Sequence, residues 1–255
     1  MLFVADVGNV HTVLGLFRGD VLVERWRVAT DKVRTADEWG LNFKAFFELG
    51  GHALTDVRGA AICSVVPPVS PVLRAACRKY LNADPLEVGP GVKTGLAIRC
   101  DNPREVGSDR IVNAVAARAL TSSACIVVDM GTATTFDCVS ARGEYLGGAI
   151  CPGLRISLEA LVSRAARLPR IEIARPENAI GRNTEHAMQS GILFGYAALV
   201  DGLIARLEAE MGEPVEVIAT GGLCTLIAEE CQRVHQAKPD LTLDGLRLVY
   251  AKNVP

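Results

Sequence analysis

A chain of 255 residues, 49% apolar and 5% aromatic, is long enough for one large or two modest folded domains and is not a disordered segment. Its net charge of -2 gives no basis for a nucleic-acid or anionic-membrane partner. Its apolar runs are too short to span a bilayer, and the apolar start meets Asp6 too soon for a signal peptide, so a cytoplasmic protein with no membrane partner is expected.

In chain order, residues 2–7 read as an apolar strand that ends in Asp6-Val7-Gly8-Asn9. Residues 10–17 form a second apolar run, Arg18-Gly19-Asp20 a turn, and 21–28 a third, roughly alternating strand. A helix over 36–49, a strand over 60–66, a helix over 72–81 and a short strand over 86–88 follow. Residues 110–120 carry Ile111, Ala114, Val115 and Ala119 at helical spacing, directly after Ser108-Asp109.

From residue 124 the first pattern returns. Residues 124–128 are an apolar strand ending in Asp129-Met130-Gly131-Thr132, 133–139 the second strand, Ala141-Arg142-Gly143 the turn and 144–150 the third. A helix capped by Ser157, a long helix from about Glu185 to Met211 and a strand over 215–219 come next. A helix over 223–236 and a last strand over 246–250 complete the prediction. Two copies of three strands followed by alternating α and β elements predict two similar α/β domains with a cleft between them. The boundary falls within 110–123, giving domains 1–118 and 119–255.

Each copy places D-x-G at its first bend. Glycine lets the backbone turn sharply and bring N–H groups to phosphate oxygens. The strand-end carboxylate suits Mg²⁺ held through water. Either D-x-G alone is an ordinary turn; two at matching positions predict a pair of hairpins gripping a nucleoside triphosphate. Thr132, next to the second glycine, is the better hydroxyl for phosphate, while Thr134 and Thr135 read equally as strand residues. Ala219-Thr220-Gly221-Gly222, between a strand and a helix, offers room for an adenosine or is a plain turn. Gly89-Pro90-Gly91-Val92-Lys93-Thr94 lacks the spacing of a P-loop, and no G-x-G-x-x-G follows a strand. The eight cysteines form no C-x-x-C pair and sit mostly in apolar runs, as reduced, buried thiols do.

The paired hairpins and the Gly-Gly loop resemble the superfamily of actin, hexokinase and acetate kinase, which implies duplicated actin-like (ribonuclease H-like) βββαβαβα domains facing a central nucleotide cleft. Nearly the whole chain resembles the type III pantothenate kinases through DVGNVHTVLG (6–15), RTADE (34–38), SVVPPV (64–69), GPGVKTG (89–95), NPREVGSDRIVNAVAA (102–117), DMGTATTFD (129–137), GGAICPGLRIS (147–157), RAARLP (164–169), IGRNTEHAMQSG (180–191) and ATGGL (219–223). The resemblance implies ATP-dependent conversion of pantothenate to 4'-phosphopantothenate at the start of coenzyme A biosynthesis. It assigns ATP to Asp6, Val7, Gly8, Asn9, Val10, His11, Thr12, Val13 and Thr132, and pantothenate to Gly107, Ser108, Asp109, Arg110 and Thr184. Asp109 takes the place of the proton acceptor and Asp129 that of a ligand for K⁺ or NH₄⁺. Mg²⁺ at Asp6, through water, is instead the expectation from the strand-end carboxylate itself. A homodimer is implied as well.

On the residues alone, Ser108-Asp109 reads first as a helix cap; the resemblance reverses that order. Two positions depart from the family pattern. Val10 stands for the usual threonine and loses a hydroxyl, and Cys100 replaces an aromatic residue. A non-catalytic ligand-binding regulator of the same fold is the competing expectation, resting on Val10, with Asp109 and Asp129 against it. A sugar or short-acid kinase is a third, against which stand residues 102–110 and 180–191.

Overall fold

The computed structural model describes residues 1–254. The chain divides into two compact units, one of Met1–Gly95, Asp101–Ala116 and the segment from Leu241 on, the other of Leu96–Cys100 with Ala117–Asp240. The segment from Leu241 on, grouped by sequence with the second domain, belongs to the first unit.

The first unit opens with β1 (Leu2–Val7), β2 (His11–Arg18) and β3 (Val21–Ala29), then α1 (Ala36–Leu49), β4 (Gly59–Ser64), α2 (Val69–Tyr80) and β5 (Pro85–Glu87). Its sheet has the order β3-β2-β1-β4-β5. The first three strands are antiparallel neighbours, and β4 and β5 run parallel to β1. One face of the sheet carries Phe3, Ala5, Leu14, Leu16 and Ile62 against Trp39, Phe43 and Phe47 of α1 and Leu73 and Cys77 of α2. Each such fully buried large side chain is worth roughly 1.5–3 kcal/mol relative to exposure. The RTADE segment owes part of its pattern to helix initiation. Thr35 accepts from the Glu38 N–H, and the Glu38 carboxylate accepts from the Thr35 N–H at 2.7 Å, a capping box that starts α1.

The opposite face carries Val4, Phe17, Ala61 and Cys63, covered by Val112 and by Leu243 and Leu246. Val112 lies on α3 (Ser108–Leu120), within which the division between units falls. The second unit begins with the two-residue β6 (Ala97–Ile98), then β7 (Ala124–Met130), β8 (Ala133–Val139), β9 (Glu144–Pro152), α4 (Leu154–Arg164), α5 (Thr184–Met211), β10 (Val215–Thr220), α6 (Cys224–Ala228) and β11 (Gln236–Ala237). Its sheet order, β11-β10-β7-β8-β9-β6, repeats the first sheet strand for strand and adds β6 beside β9. The predicted duplication is therefore present as topology. The fold is the duplicated actin-like α/β arrangement.

Three predicted elements differ. Residues 246–250, read as a strand, lie in a helix, α7 (Leu241–Asn253). Its buried set Leu241, Leu243, Leu246 and Val249 has helical spacing, which the short window LRLVY conceals. Gly245 makes the packing possible, because a Cβ there would sit 2.2 Å from the Val112 carbonyl oxygen of α3. The helix over 223–236 is only the five-residue α6, followed by turns. Ser157 lies inside α4, where its hydroxyl donates to the Gly153 carbonyl at 3.1 Å; Gly153 precedes the helix.

Among the described residues, α5 alone is long and apolar enough to cross a membrane, and Leu193, Tyr196, Val200 and Ile204 on it are buried in the core of the second unit. No cysteine is in a disulfide among the described residues. Burial pushes the Cys77 thiol up to about 12, with the Glu87 charge adding to it, so this sulfur is inert packing.

Candidate functional site

The first D-x-G forms the connection between β1 and β2. The Gly8 N–H donates to the His11 carbonyl at 3.0 Å, leaving Asn9 and Val10 exposed at the tip. Thr30, just after β3, holds this tip. Its N–H donates to the Val10 carbonyl at 2.9 Å, its hydroxyl donates to the Gly8 carbonyl at 2.7 Å, and Thr12 Oγ1 lies 2.9 Å from the same hydroxyl. Thr12 is buried, so its hydroxyl serves the clamp; Val7 is buried too and offers only backbone. His11 Nδ1 lies 2.8 Å from an Arg27 guanidinium nitrogen. Sequence reasoning passed over Thr30, whose only local signal is its position after the third strand.

Asp109 enters the same neighbourhood through β4. Val7 pairs with Ser64, and the Val65 N–H donates to the Val7 carbonyl at 3.1 Å. Ser108, at the start of α3, donates its hydroxyl to the Ser64 carbonyl at 3.3 Å and accepts from the Cys63 thiol at 3.2 Å. The hydroxyl expected to cap α3 instead ties the helix start to the end of β4. The next residue, Asp109, folds back so that Oδ1 accepts from the Arg110 N–H at 2.8 Å. Gly107 makes room for it: a Cβ there would lie 2.4 Å from Asp109 Oδ1. The Gly-Ser-Asp-Arg string thus consists of a space, an anchor, a half-buried carboxylate and a cation. Asp6, one residue before Val7 and in register with Cys63 of β4, places a single carboxylate beside the loop. Mg²⁺ keeps most of its waters and takes substrate phosphate oxygens, so one carboxylate there fits it.

The second D-x-G is held differently. Gly131 N–H donates to the Ala133 carbonyl at 3.1 Å, and Gly153, just before α4, donates its N–H to the Thr132 carbonyl at 3.1 Å. A Cβ on Gly153 would sit 2.3 Å from that oxygen and 2.5 Å from the Gly131 oxygen. Gly221 has φ +93°, and a Cβ there would fall 2.7 Å from both Asp129 Oδ1 and the Met130 oxygen. Asp129, Thr132 and the Gly-Gly turn therefore converge within the second unit. Thr132 is exposed. On the continuation of the same segments, a cavity of about 570 Å³ is lined by Arg155, Leu158, Val162, Ile171, Ile173 and Leu223.

Asp129 sits between two threonines. It pairs with Thr220 of β10 on one side and Thr135 of β8 on the other. One carboxylate among neutral protein oxygens suits a singly charged cation. Thr184 is apart from these groups in its contacts. It is the exposed first residue of α5, following Asn183, whose side chain accepts from the His186 N–H at 2.8 Å. The P-loop lookalike over 89–95 is a loop pinned by Asn253 of α7, which bonds both the N–H and the carbonyl of Lys93.

Residues 2–206 match the family described as type III pantothenate kinase. A type III pantothenate kinase of Myxococcus xanthus is 52% identical over 99% of this chain and 99% of its own. Solved structures resemble the fold at low identity. One described as a Baf family transcriptional activator, from Campylobacter jejuni, has a TM-score of 0.62 and 17% identity over 98% of each chain. Another, from Sinorhizobium meliloti and described as a 2-dehydro-3-deoxygalactonokinase, has a TM-score of 0.58 and 13% identity over all of both chains.

Proposed function

The chain belongs to the type III pantothenate kinase family and phosphorylates pantothenate with ATP in coenzyme A biosynthesis, and we propose that α3 supplies the proton acceptor of this reaction while the two D-x-G loops bind the phosphates. The observation that carries the reading is the Ser108 anchor. It fixes Asp109 at the end of β4, the strand whose neighbour β1 runs into the first loop.

In the reaction a bond forms between the pantothenate hydroxyl oxygen and the γ-phosphorus, and the bond from that phosphorus to the bridging oxygen breaks, releasing ADP. The hydroxyl proton passes to the Asp109 carboxylate, which orients the hydroxyl before transfer. Arg110 pairs with an anionic group of pantothenate or phosphate. Backbone N–H groups of the first loop, Asp6 to Val13, and the exposed Thr132 hydroxyl contact the triphosphate. The adenosine lies against Gly221-Gly222 and the cavity beyond Leu223. Asp6, through water, would hold Mg²⁺, and Asp129 a monovalent cation, K⁺ or NH₄⁺; bound there, the ions would supply fixed positive charge against the phosphates. The remaining acceleration comes from positioning and electrostatics.

Thr184 contacts pantothenate in a homodimer. The dimer is supported by family membership and by exposed apolar side chains of the second unit, such as Leu199. A cytoplasmic enzyme accords with eight cysteines kept as thiols.

The test is ADP release with ATP, pantothenate, Mg²⁺ and K⁺, comparing wild type with Asp109→Asn. Asparagine keeps the helix-start chemistry, so thermal stability stays level. The rate falls by about 10² to 10⁴. An asparagine variant turning over at the wild-type rate removes Asp109 from the mechanism.

A further inference from the structure

Three side chains stand in a row across the second sheet at the end of β7: Thr220 on β10, Asp129 on β7 and Thr135 on β8. They share one face. The other face is the packed core built from Val128, Met130, Phe136, Ala219 and Val217, the alternate residues of the same strands. Adjacent strands lie about 4.8 Å apart, so both hydroxyls are immediate neighbours of the carboxylate.

The two hydroxyls are in complementary states. Thr135 donates its proton to Asp137 Oδ2 at 3.1 Å, and Asp137, wholly buried, also accepts from the Tyr145 hydroxyl at 2.6 Å. With its proton committed, Thr135 Oγ1 is left with lone pairs. Thr220 is 1% exposed, and its Oγ1 has no hydrogen-bond partner at all. A buried hydroxyl without a partner is costly, and such groups are ordinarily satisfied by something. Here the nearest charge in register is the Asp129 carboxylate. Gly221 follows directly; a Cβ there would sit 2.7 Å from Asp129 Oδ1, so only glycine leaves that oxygen uncrowded.

We propose that Thr220 Oγ1 and Thr135 Oγ1 are ligands of a monovalent cation shared with Asp129, and that Asp137 is a positioning residue that turns the Thr135 lone pairs toward it. Hard cations take oxygen ligands, and neutral oxygens with one carboxylate leave a charge balance that favours a singly charged ion over Mg²⁺. The proposal rests on the kinase reading only for Asp129 as a cation ligand; the two threonines are identified by pairing, burial and hydrogen bonding.

The test is thermal unfolding of the full chain without substrates, in choline chloride and in KCl, NH₄Cl or NaCl at equal ionic strength. Wild type gains a saturable rise in melting temperature with K⁺ or NH₄⁺, as binding to the folded state requires. Thr220→Val removes the orphaned oxygen while keeping the shape. It melts no lower than wild type in choline chloride, yet its K⁺ affinity falls on the order of 10-fold or more. Thr220→Ser restores the response. Asp137→Asn lowers K⁺ affinity by roughly 10- to 100-fold, as loss of an outer-sphere partner does. Crystals soaked in Tl⁺ give an anomalous peak touching both threonine oxygens and Asp129. A full K⁺ shift in Thr220→Val, no K⁺ shift in wild type, or a Tl⁺ peak elsewhere overturns the proposal. Pantothenate-dependent ADP release is read separately, so the kinase reading survives any of these results.

Discussion

The two D-x-G loops begin from the same motif on the same strand of the same topology, and they are immobilised by opposite means. The first spans residues 8–11 between the paired Val7 and Thr12, and the second spans 131–133 between Met130 and Thr134, one residue shorter. The first is tied by side-chain and backbone hydrogen bonds from Thr30, with Thr12 assisting. The second is enclosed by backbone: Gly153 and Gly221 approach so closely that a single Cβ has no place. A clamp of hydroxyls tolerates adjustment. A contact between bare backbones does not. This is why the unusual Val10 occurs in the first loop, where it is half exposed and offers only its carbonyl to Thr30.

Substitutions that attack each mode separately measure this difference. The largest effect is expected from Gly153→Ala. Its φ and ψ of -66° and 159° suit alanine, so the whole penalty is the collision with the Gly131 and Thr132 carbonyls. Displacing that loop by about 1 Å costs on the order of 10²-fold in kcat/KM for ATP. Gly221→Ala adds left-handed backbone strain to a similar collision, and lowers stability by about 1–3 kcal/mol in urea unfolding. Thr30→Val deletes the side-chain clamp of the first loop alone. KM for ATP rises about 10-fold with little change in melting temperature, since each lost hydrogen bond is worth roughly 0.5–1.5 kcal/mol. The smallest effect is that of Val10→Thr, which supplies the missing hydroxyl and lowers KM for ATP by about two- to tenfold. An inverted ranking, with Thr30→Val more damaging than Gly153→Ala, would show that the first loop is the rigid one.

The duplicated strands were readable from sequence because each is a local pattern: an apolar run, an Asp at its end, a glycine turn. The helix over 36–49 was readable for the same reason, since Thr35 and Glu38 satisfy each other across three residues. What failed was periodicity in short windows. Residues 246–250 alternate well enough for a strand, and only their burial against Val112 and Ala61 reveals a helix. At the site, Asp6 and Asp129 stood out through the repeated D-x-G, and Asp109 through the family resemblance, its residue type alone suggesting a helix cap. The groups that hold them did not, because each acts across a long stretch of chain: Thr30 on Gly8, Gly153 on Thr132, Thr220 beside Asp129. Glycines and threonines are too common to be noticed until pairing and distance single them out.

The membership of α7 in the first unit sets an order on synthesis. The second unit is complete in the nascent chain once residue 240 has emerged, whereas the sheet of the first unit still lacks the helix that covers Val4, Phe17, Ala61 and Cys63. Until α7 itself has been made, that apolar face has no cover from it. Strands β1, β2 and β4 are thus made long before the helix that covers them, and their exposure to chaperones and proteases lasts through translation of the whole second unit.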